Sequence, residues 1–375
     1  MWQRWRFGWV MLVYLALLTC RPGAVWAAVA PQVEVFTMGP GDDLFSRFGH
    51  AAICITDEES PLGRCYNYGT ADFSTPGPLT WGVLRGNGQF WVSVSSLPRM
   101  LALYQLEDRT VYRQRLPLSP TQAESIAREL HKADRPEHTL YNYRHFDDNC
   151  TTRIRDLLDS VTFGALRQGN LVPNQPPLRA RVAEGFAAAP VLATLSQLVL
   201  GRRVDAPTTG WDSMFLPDVL RAELYSHLHA VPEVVVTRVA PLPPSSSLPP
   251  ILLWSCAALL LGLLAWLGGR PSRIAVLIFL TVLGLLPWAL AVVARLPELR
   301  VNEALLVMWP TDLLLLWPRA MRIYGRIRLG GLLLVGVGKL VGLLVQPLGG
   351  LLLCAALPLG VVLYKQSQLG ATCTR

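Results

Sequence analysis

A cysteine, a histidine and an asparagine stand in this sequence in settings that suit nucleophilic catalysis. Cys150 follows Asn149, and an apolar series begins four residues later. The series has helical spacing: Ile154, Leu157, Leu158 and Val161. In the first turn of such a helix, free backbone N–H groups and the helix dipole stabilise a thiolate, so the pattern predicts a nucleophilic Cys150.

The partners of this cysteine depend on a predicted hairpin. His50–Thr56 alternates small or polar with apolar residues, and Arg64–Tyr68 returns after a turn as a second strand. Further predicted elements are strands at 33–37 and 110–116 and a helix at 120–131. Together they predict an α+β domain with an antiparallel sheet.

The hairpin register brings two polar side chains to one face. If Cys54 faces Cys65, residue 52 pairs with 67 and residue 50 with 69. His50 then shares a face with Cys54 and, on the partner strand, with Asn67.

A helix packed over Ala52 would bring Cys150 to His50, giving a nucleophile, a base and an orienting Asn67. The alternative for His50 is a structural histidine at a strand end. The remaining histidines are interpreted as surface or structural residues: His131, His138, His145, His227 and His229.

The cysteine count decides whether the nucleophile is free. The segment 29–249 has three cysteines, so one stays unpaired if the other two form a disulfide. A Cys54–Cys65 disulfide leaves Cys150 as a thiol. The rival pairing, Cys54 with Cys150, removes the nucleophile.

Both ends of the chain indicate a membrane. Residues 1–28 have a basic start, an apolar stretch and small residues at 27–28, as in a signal peptide; the alternative is a retained anchor. A Pro/Ser linker at 241–250 separates the domain 29–240 from an apolar tail at 251–375. Five spans are predicted in the tail, at 251–267, 274–294, 304–317, 329–346 and 347–364. Four spans with a re-entrant segment are the alternative.

The charges indicate topology rather than a nucleic-acid partner. The net charge is +8, but residues 250–375 contain eleven Lys and Arg against three acids, while 29–249 is slightly acidic. Eight of the eleven fall in loops on one side of a five-span tail, including Arg319, Arg322, Arg326 and Arg328, and positive loops stay in the cytoplasm. The domain 29–240 is thus predicted in the periplasm. Asp312 and Lys339 fall within spans, either near a substrate path or as structural pairs.

No metal or cofactor motif is present, because the sequence has no HExxH, no paired CxxC and no phosphate loop. Two acidic doublets flank the key segments: Asp42, Asp43, Asp147 and Asp148. We interpret them as solvated loop residues, with binding of a cation or a substrate ammonium as the alternative.

Three segments carry a family resemblance: FGHAAICI at 48–55, YNYGTADF at 66–73 and YNYRHFDDNCTTRIRDLLD at 141–159. The order of an early histidine and a later Asn-Cys pair resembles the circularly permuted papain-like thiol enzymes, among them the NlpC and lecithin:retinol acyltransferase groups. The three segments with a five-span tail resemble the Lnb family of lipoprotein N-acyltransferases. The resemblance covers most of the chain.

The resemblance implies a papain-like periplasmic domain, an inner-membrane tail and acyl transfer through a Cys150 thioester. His50 would be the base and Asn67 the third member, with Asp72 as its substitute. A phospholipid would donate the acyl chain to the α-amine of a diacylglyceryl lipoprotein. Backbone N–H groups at the start of the Cys150 helix would hold the oxyanion. The alternatives are an NlpC-type cell-wall peptidase or amidase and a non-catalytic membrane module.

Overall fold

The chain combines a sheet domain with a helical tail. The computed structural model describes residues 30–43, 46–245 and 248–372; the predicted signal peptide at 1–28 lies outside them. The first part is a seven-stranded antiparallel sheet and the second is helical, which confirms the predicted α+β class.

The sheet has the strand order β6-β4-β3-β2-β1-β5-β7, and all neighbouring strands are antiparallel. The strands are β1 Gln32–Met38, β2 His50–Thr56, β3 Arg64–Thr70, β4 Gln89–Ser96, β5 Val111–Arg115, β6 Leu140–Asn142 and β7 Pro232–Val236. The alternating patterns predicted the strands around 33, 50, 64 and 110, whereas β4, β6 and β7 were not predicted.

Helices cover both faces of the sheet. In this part of the chain they are α1 Pro76–Leu84, α2 Leu97–Leu106, α3 Pro120–Ala133, α4 Pro136–Thr139, α5 Cys150–Val161, α6 Leu178–Gly185, α7 Pro190–Val199, α8 Gly210–Ser213 and α9 Pro217–Leu228, with a 3-10 helix at Arg202–Asp205. Helices α3 and α5 share one apolar core with alternate residues of β2 and β3. Helix α2 packs in a second core on the opposite face.

The β2–β3 register is the predicted one, but the pairing covers only part of the two strands. Cys54 pairs with Cys65 and Ile53 with Tyr66. The predicted pairs of 52 with 67 and 50 with 69 do not form, because the ladder ends at Ile53. Beyond that point β3 pairs with β4, with a register shift between Asn67 and Thr70. The two strands therefore separate next to His50.

The position of α5 corrects one prediction. Its apolar residues Ile154 and Leu158 pack in the core that contains Ala51 and Ile53. Ala52 belongs to the opposite core, under α2. The helix therefore does not lie over Ala52, because alternate residues of a strand face opposite sides of the sheet.

Three helices of the tail are long and apolar enough to cross a membrane: α10 Pro250–Leu267, α11 Arg270–Val293 and the stretch Gly349–Gln368 of α15. The other tail helices are α12 Pro297–Arg300, α13 Ala304–Val307 and α14 Pro318–Leu340, and α15 extends over Gly349–Thr372. Helix α14 is equally long but carries four arginines and a lysine. The chain reverses at 341–348, close to the predicted break at 346–347.

The segment predicted as a third helical span is broken. Residues 304–317 form only the single turn of α13 and a 3-10 helix at Asp312–Leu316. Pro310 lies between the two, lacks an N–H group and disfavours helical backbone in the residue before it. The segment packs against α11, α14 and α15.

The two ionisable residues predicted within spans, Asp312 and Lys339, bind other groups of the tail. Asp312 accepts hydrogen bonds from Nε of Arg328 at 2.7 Å and from the Tyr324 hydroxyl at 2.9 Å. Arg328 was predicted in a cytoplasmic loop, but it lies within α14 and is fully buried. Lys339 Nζ donates to the carbonyls of Leu344 and Val345.

Backbone and amide hydrogen bonds join the sheet domain to the tail. The N–H of Gly201 donates to Glu298 O, and that of Arg202 donates to Val301 O, each at 2.7 Å. Nδ2 of Asn302 donates to Leu198 O at 2.8 Å. These contacts fix the sheet domain against α12 and the residues that follow it, so the domain does not hang on a free linker.

Candidate active site

Asn149 builds the start of α5. Its Oδ1 accepts hydrogen bonds from the N–H groups of Thr151 at 2.9 Å and Thr152 at 2.8 Å, and the Thr152 hydroxyl accepts from the Asn149 N–H. Its Nδ2 donates to the carbonyls of His145 and Phe215. Such an N-cap contributes about 1 kcal/mol to helix stability. Asn149 therefore sets both the first residue of the helix, Cys150, and the path of the loop before it.

Cys150 is a free thiol among the described residues, since Cys54 and Cys65 form the disulfide. This is the pairing that leaves the predicted nucleophile intact, and the rival Cys54–Cys150 pairing is absent from the structure. The thiol is 8% exposed. Both β-strand cysteines belong to the core under α2, on the opposite side of the sheet from α5.

The surroundings of Cys150 favour its thiolate. Burial raises the pKa of the thiol, but the positive charge and hydrogen bond of His50, the N–H of Ala51 and the Thr151 hydroxyl outweigh it and lower the pKa to about 7. The Thr151 oxygen lies 3.7 Å from Sγ. Near neutral pH a large fraction of the side chain is therefore a thiolate beside an imidazole.

His50 reaches the cysteine from the end of β2, where β2 and β3 separate. The strand end leaves the Ala51 N–H directed at Cys150 rather than at β3. The imidazole also faces Tyr104 of α2, with 6.2 Å between the ring centroids. The sequence predicted the Cys150–His50 pair, although the route by which the helix reaches the histidine differs from the prediction.

Gly69 keeps the space beside Cys150 open. Its φ is +86°, a conformation that side chains rarely adopt. A Cβ at this position would lie 3.6 Å from Cβ of Cys150 and 3.7 Å from the Tyr141 hydroxyl. Gly69 therefore allows β3 to approach α5 closely. The side chains of Cys150 and Tyr141 border the same space over Gly69.

Tyr141 was missed by the sequence analysis. Its hydroxyl is buried and has no hydrogen-bond partner among the described residues. Burial is the main cause that raises the pKa of the phenol, followed by the charge of Cys150, so the group keeps its proton. The guanidinium of Arg153 stacks 3.7 Å from the ring centroid and is itself held by Asp148. A fixed O–H donor therefore lies next to the thiol.

The predicted third member is not in contact with the base. Asn67 is buried on β3, where it pairs with Ser93 of β4, and it belongs to the same face as Cys65. Within the described residues its side chain makes no hydrogen bond to His50. Asp72 is exposed and accepts hydrogen bonds from the hydroxyl and N–H of Ser74, which lower the pKa of its carboxyl.

His145 is a structural residue. Its ring packs edge-on against Phe48 at 4.7 Å and Phe215 at 5.4 Å, and burial lowers its pKa to about 4. It therefore stays neutral and supports the loop before Cys150. Neither His131 nor His138 is near the site: both are exposed, on α3 and α4.

The acidic doublets mostly form ion pairs. Asp147 pairs with Arg203 at 3.0 Å, Asp148 with Arg153 at 2.6 Å and Asp42 with Arg238 at 3.1 Å. Across the ranges that the structure describes, no three His, Cys, Asp or Glu side chains are grouped as metal ligands would be.

Comparison with known proteins identifies one domain. Residues 28–181 match the family model described as the Lnb N-terminal periplasmic domain, a range that includes His50, Asn67 and Cys150. No curated protein and no solved structure matches the chain. The match confirms the predicted family resemblance for the sheet domain, which is followed by a tail with three candidate membrane spans.

Proposed function

We propose that this Lnb-type protein is a membrane-bound thiol acyltransferase that carries an acyl chain on Cys150 from a phospholipid to the α-amine of a diacylglyceryl lipoprotein. One observation carries the proposal: a free thiol at a helix start, beside His50, with its pKa lowered to about 7 although it is buried. A structural cysteine in an apolar core would have a raised pKa.

In the first step the Cys150 thiolate attacks the ester carbonyl of the donor lipid. A C–S bond forms, and the carbonyl oxygen takes the negative charge of a tetrahedral intermediate. The C–O bond then breaks, and the leaving alkoxide takes a proton from His50. The products of this step are a lysophospholipid and a Cys150 thioester.

In the second step the lipoprotein amine attacks the thioester carbonyl. The amine gives a proton to His50, the C–S bond breaks and the thiolate returns. The acyl chain is now held in an amide bond. His50 is therefore a proton donor in one half of the reaction and a proton acceptor in the other.

The oxyanion needs a donor that the helix cap does not already use. The N–H groups of Thr151 and Thr152 are bound to Asn149, which removes two of the donors predicted from the sequence. We assign the role to the Tyr141 hydroxyl, together with the N–H of Cys150. A fixed donor in a site without water is worth more than the same donor in solution.

The membrane tail supports lipids as the substrates of this site. Helices α10 and α15 run side by side in the same direction, as shown by the contact of Gly349 with Ile251 at one end and the stacking of Tyr364 on Trp266 at the other. With α11, the broken segment 304–317 and α14, they form five passes of an inner-membrane bundle. The sheet domain is fixed at its periplasmic end, where both lipid substrates can diffuse laterally.

Asn67 remains a prediction as the third member of the site. It lies on the sheet face of His50, and its role would be to orient the imidazole through a movement or a bridging water. The His50–Tyr104 ring contact already limits the orientation of the base.

The test compares lipoprotein N-termini by mass spectrometry in cells with the wild-type protein, Cys150→Ala or Cys256→Ala. Cys256 is an exposed cysteine of α10 and serves as the matched control. We expect triacylated N-termini in the wild type and in the control, and their loss with Cys150→Ala. The purified wild type should also carry an acyl group on Cys150 that hydroxylamine removes.

Unchanged N-termini with Cys150→Ala would contradict lipoprotein acylation. If cell-wall fragments changed instead, the NlpC-type peptidase would replace it, with the same Cys150–His50 pair.

A further inference from the structure

Helix α1 is an apolar helix that lies at the surface of the protein. The stretch 73–84 has no charged residue, and none of the residues of α1 is buried. Trp81 is 55% exposed and Phe73, just before the helix, is 47% exposed. The polar side chains of this stretch are the uncharged hydroxyls of Ser74, Thr75 and Thr80, and large exposed apolar side chains among them indicate contact with something apolar.

The C-terminal end of α1 is fixed at a membrane helix. The N–H of Arg295, two residues after α11, donates to Leu84 O at 2.8 Å. Val83 and Leu84 pack in the core that contains Leu296 and Leu299. Because α11 is one of the three candidate spans, the C-terminal end of α1 lies at the level where the bundle would meet the periplasm.

The other end of α1 leads to the active site through aromatic rings. The ring of Phe73 contacts that of Phe90 edge-on at 6.5 Å between centroids, and Phe90 stacks on Tyr143 at 4.5 Å. The Tyr143 ring borders the space over Gly69, beside Cys150. A series of packed aromatic rings therefore connects the exposed side of α1 with the space beside the thiol.

We infer that the surface formed by Phe73, Pro76, Pro78 and Trp81 lies in the outer leaflet of the membrane and passes the acyl chain of the donor lipid to Cys150. Tryptophan prefers the interface between headgroups and acyl chains, where its ring is apolar and its N–H is hydrated. A short helix lying in the plane of the interface buries its apolar side in lipid. The donor role rests on the proposed acyl transfer, whereas the lipid contact requires only that α11 spans the membrane.

The lipid contact is tested with the full-length protein in phosphatidylethanolamine/phosphatidylglycerol vesicles that contain a phospholipid with a diazirine in its acyl chain. After irradiation and reduction, trypsin cleaves at Arg64 and Arg85 and releases the fragment 65–85, which carries α1. Residues 57–64 of the fragment 48–64 are the control, because the exposed Leu62 lies at the opposite end of β2 from His50.

We expect lipid adducts on 73–81 and in α11, and none on 57–64. Adducts in α11 without any on 65–85 would overturn the inference.

The donor role is tested with Phe73→Ser/Trp81→Ser and the matched control Leu62→Ser. With vesicle phospholipid we expect Cys150 acylation to slow about tenfold or more in the double variant and to stay normal in the control. With a water-soluble short-chain thiol-reactive ester, all three proteins should react alike, which shows that the site is folded.

An equal rate with vesicle lipid would overturn the donor role. If no ester acylated Cys150 in any protein while the adducts on 73–81 persisted, the proposed acyl transfer would fail and the membrane contact would stand.

Discussion

The sheet domain and the tail both bury charged or polar side chains, but they use them in opposite ways. In the tail, the Asp312 carboxylate accepts hydrogen bonds from Arg328 and from the Tyr324 hydroxyl, and the Arg328 guanidinium also donates to the carbonyl of Val307 in the broken segment. At the start of α5, the Tyr141 hydroxyl has no partner and the buried thiol is held as a thiolate. Buried polar groups that bind one another stabilise a structure, whereas an unpartnered donor that borders the same space as a reactive thiol is available to a ligand.

The largest expected effect is on the Cys150 site of the sheet domain. His50→Ala removes a positive charge and a hydrogen bond that oppose the effect of burial, so the pKa of Cys150 should rise from about 7. Alkylation of the thiol should then show its midpoint at higher pH, and acyl transfer should fall by roughly 10²–10⁴-fold. The exposed His138 provides the control, His138→Ala, which should match the wild type.

An unchanged pH midpoint of alkylation in His50→Ala would contradict this. The start of α5 and the Ala51 N–H would then be enough to lower the pKa of Cys150.

The next largest effect is expected at the buried Asp312–Arg328 pair of the tail, which we expect to act on stability. Asp312→Leu leaves Arg328 buried without its carboxylate, which costs roughly 3–5 kcal/mol for a pair of this kind. We expect a large drop in the Tm of the detergent-solubilised protein, recovered in part by the double variant Asp312→Leu/Arg328→Leu. The exposed Arg322 of the same helix is the control, as Arg322→Gln.

Loss of Cys150 acylation in correctly folded Asp312→Leu protein would break the comparison, because the pair would then act on substrates rather than on stability.

A smaller effect is expected from the phenol. Tyr141→Phe keeps the ring under Arg153 but removes the proposed oxyanion donor, so kcat should fall about 10²–10³-fold with little change in KM. Tyr66→Phe is the matched control, because Tyr66 is another buried hydroxyl without a partner, on β3 away from the thiol.

If Tyr141→Phe left kcat unchanged, or shifted the alkylation midpoint of Cys150 instead, its role would be structural.

The smallest effect is expected at Asn67. Since its amide does not contact His50, Asn67→Ala should lower acyl transfer less than about tenfold, a change of under about 1.4 kcal/mol. A loss as large as that of His50→Ala would establish Asn67 as the third member of the site. The measurement is the same thioester assay in vesicles.

Local patterns were sufficient for part of the site. The helix period after Cys150, the alternation in β2 and the odd cysteine count predicted the free Cys150 thiol, its neighbour His50 and the Cys54–Cys65 disulfide. These signals are local because capping, side-chain alternation and pairing across a short turn each involve a few neighbouring residues. The strand β6, which carries Tyr141, has only three residues and gave no pattern to detect.

Non-local packing decided the remainder. Arg328 reads as a loop residue because charged residues favour water, and only the broken backbone at 304–317 supplies the carboxylate and carbonyl that allow its burial. The face on which α5 packs likewise depends on which core it completes. The sequence of 304–317 is apolar enough for a span, yet Pro310 and the Asp312–Arg328 pair prevent one continuous helix.

The sequence by itself determined the α+β class, the family resemblance and the Cys150–His50 pair, because helix caps, strand alternation and hydropathy are written in short windows. Only the tertiary structure decided what surrounds that pair. The separation of β2 from β3, the free Tyr141 hydroxyl and the exposed α1 beside α11 each arise where distant segments meet. The free energy of such contacts depends on both partners, so neither segment encodes them alone.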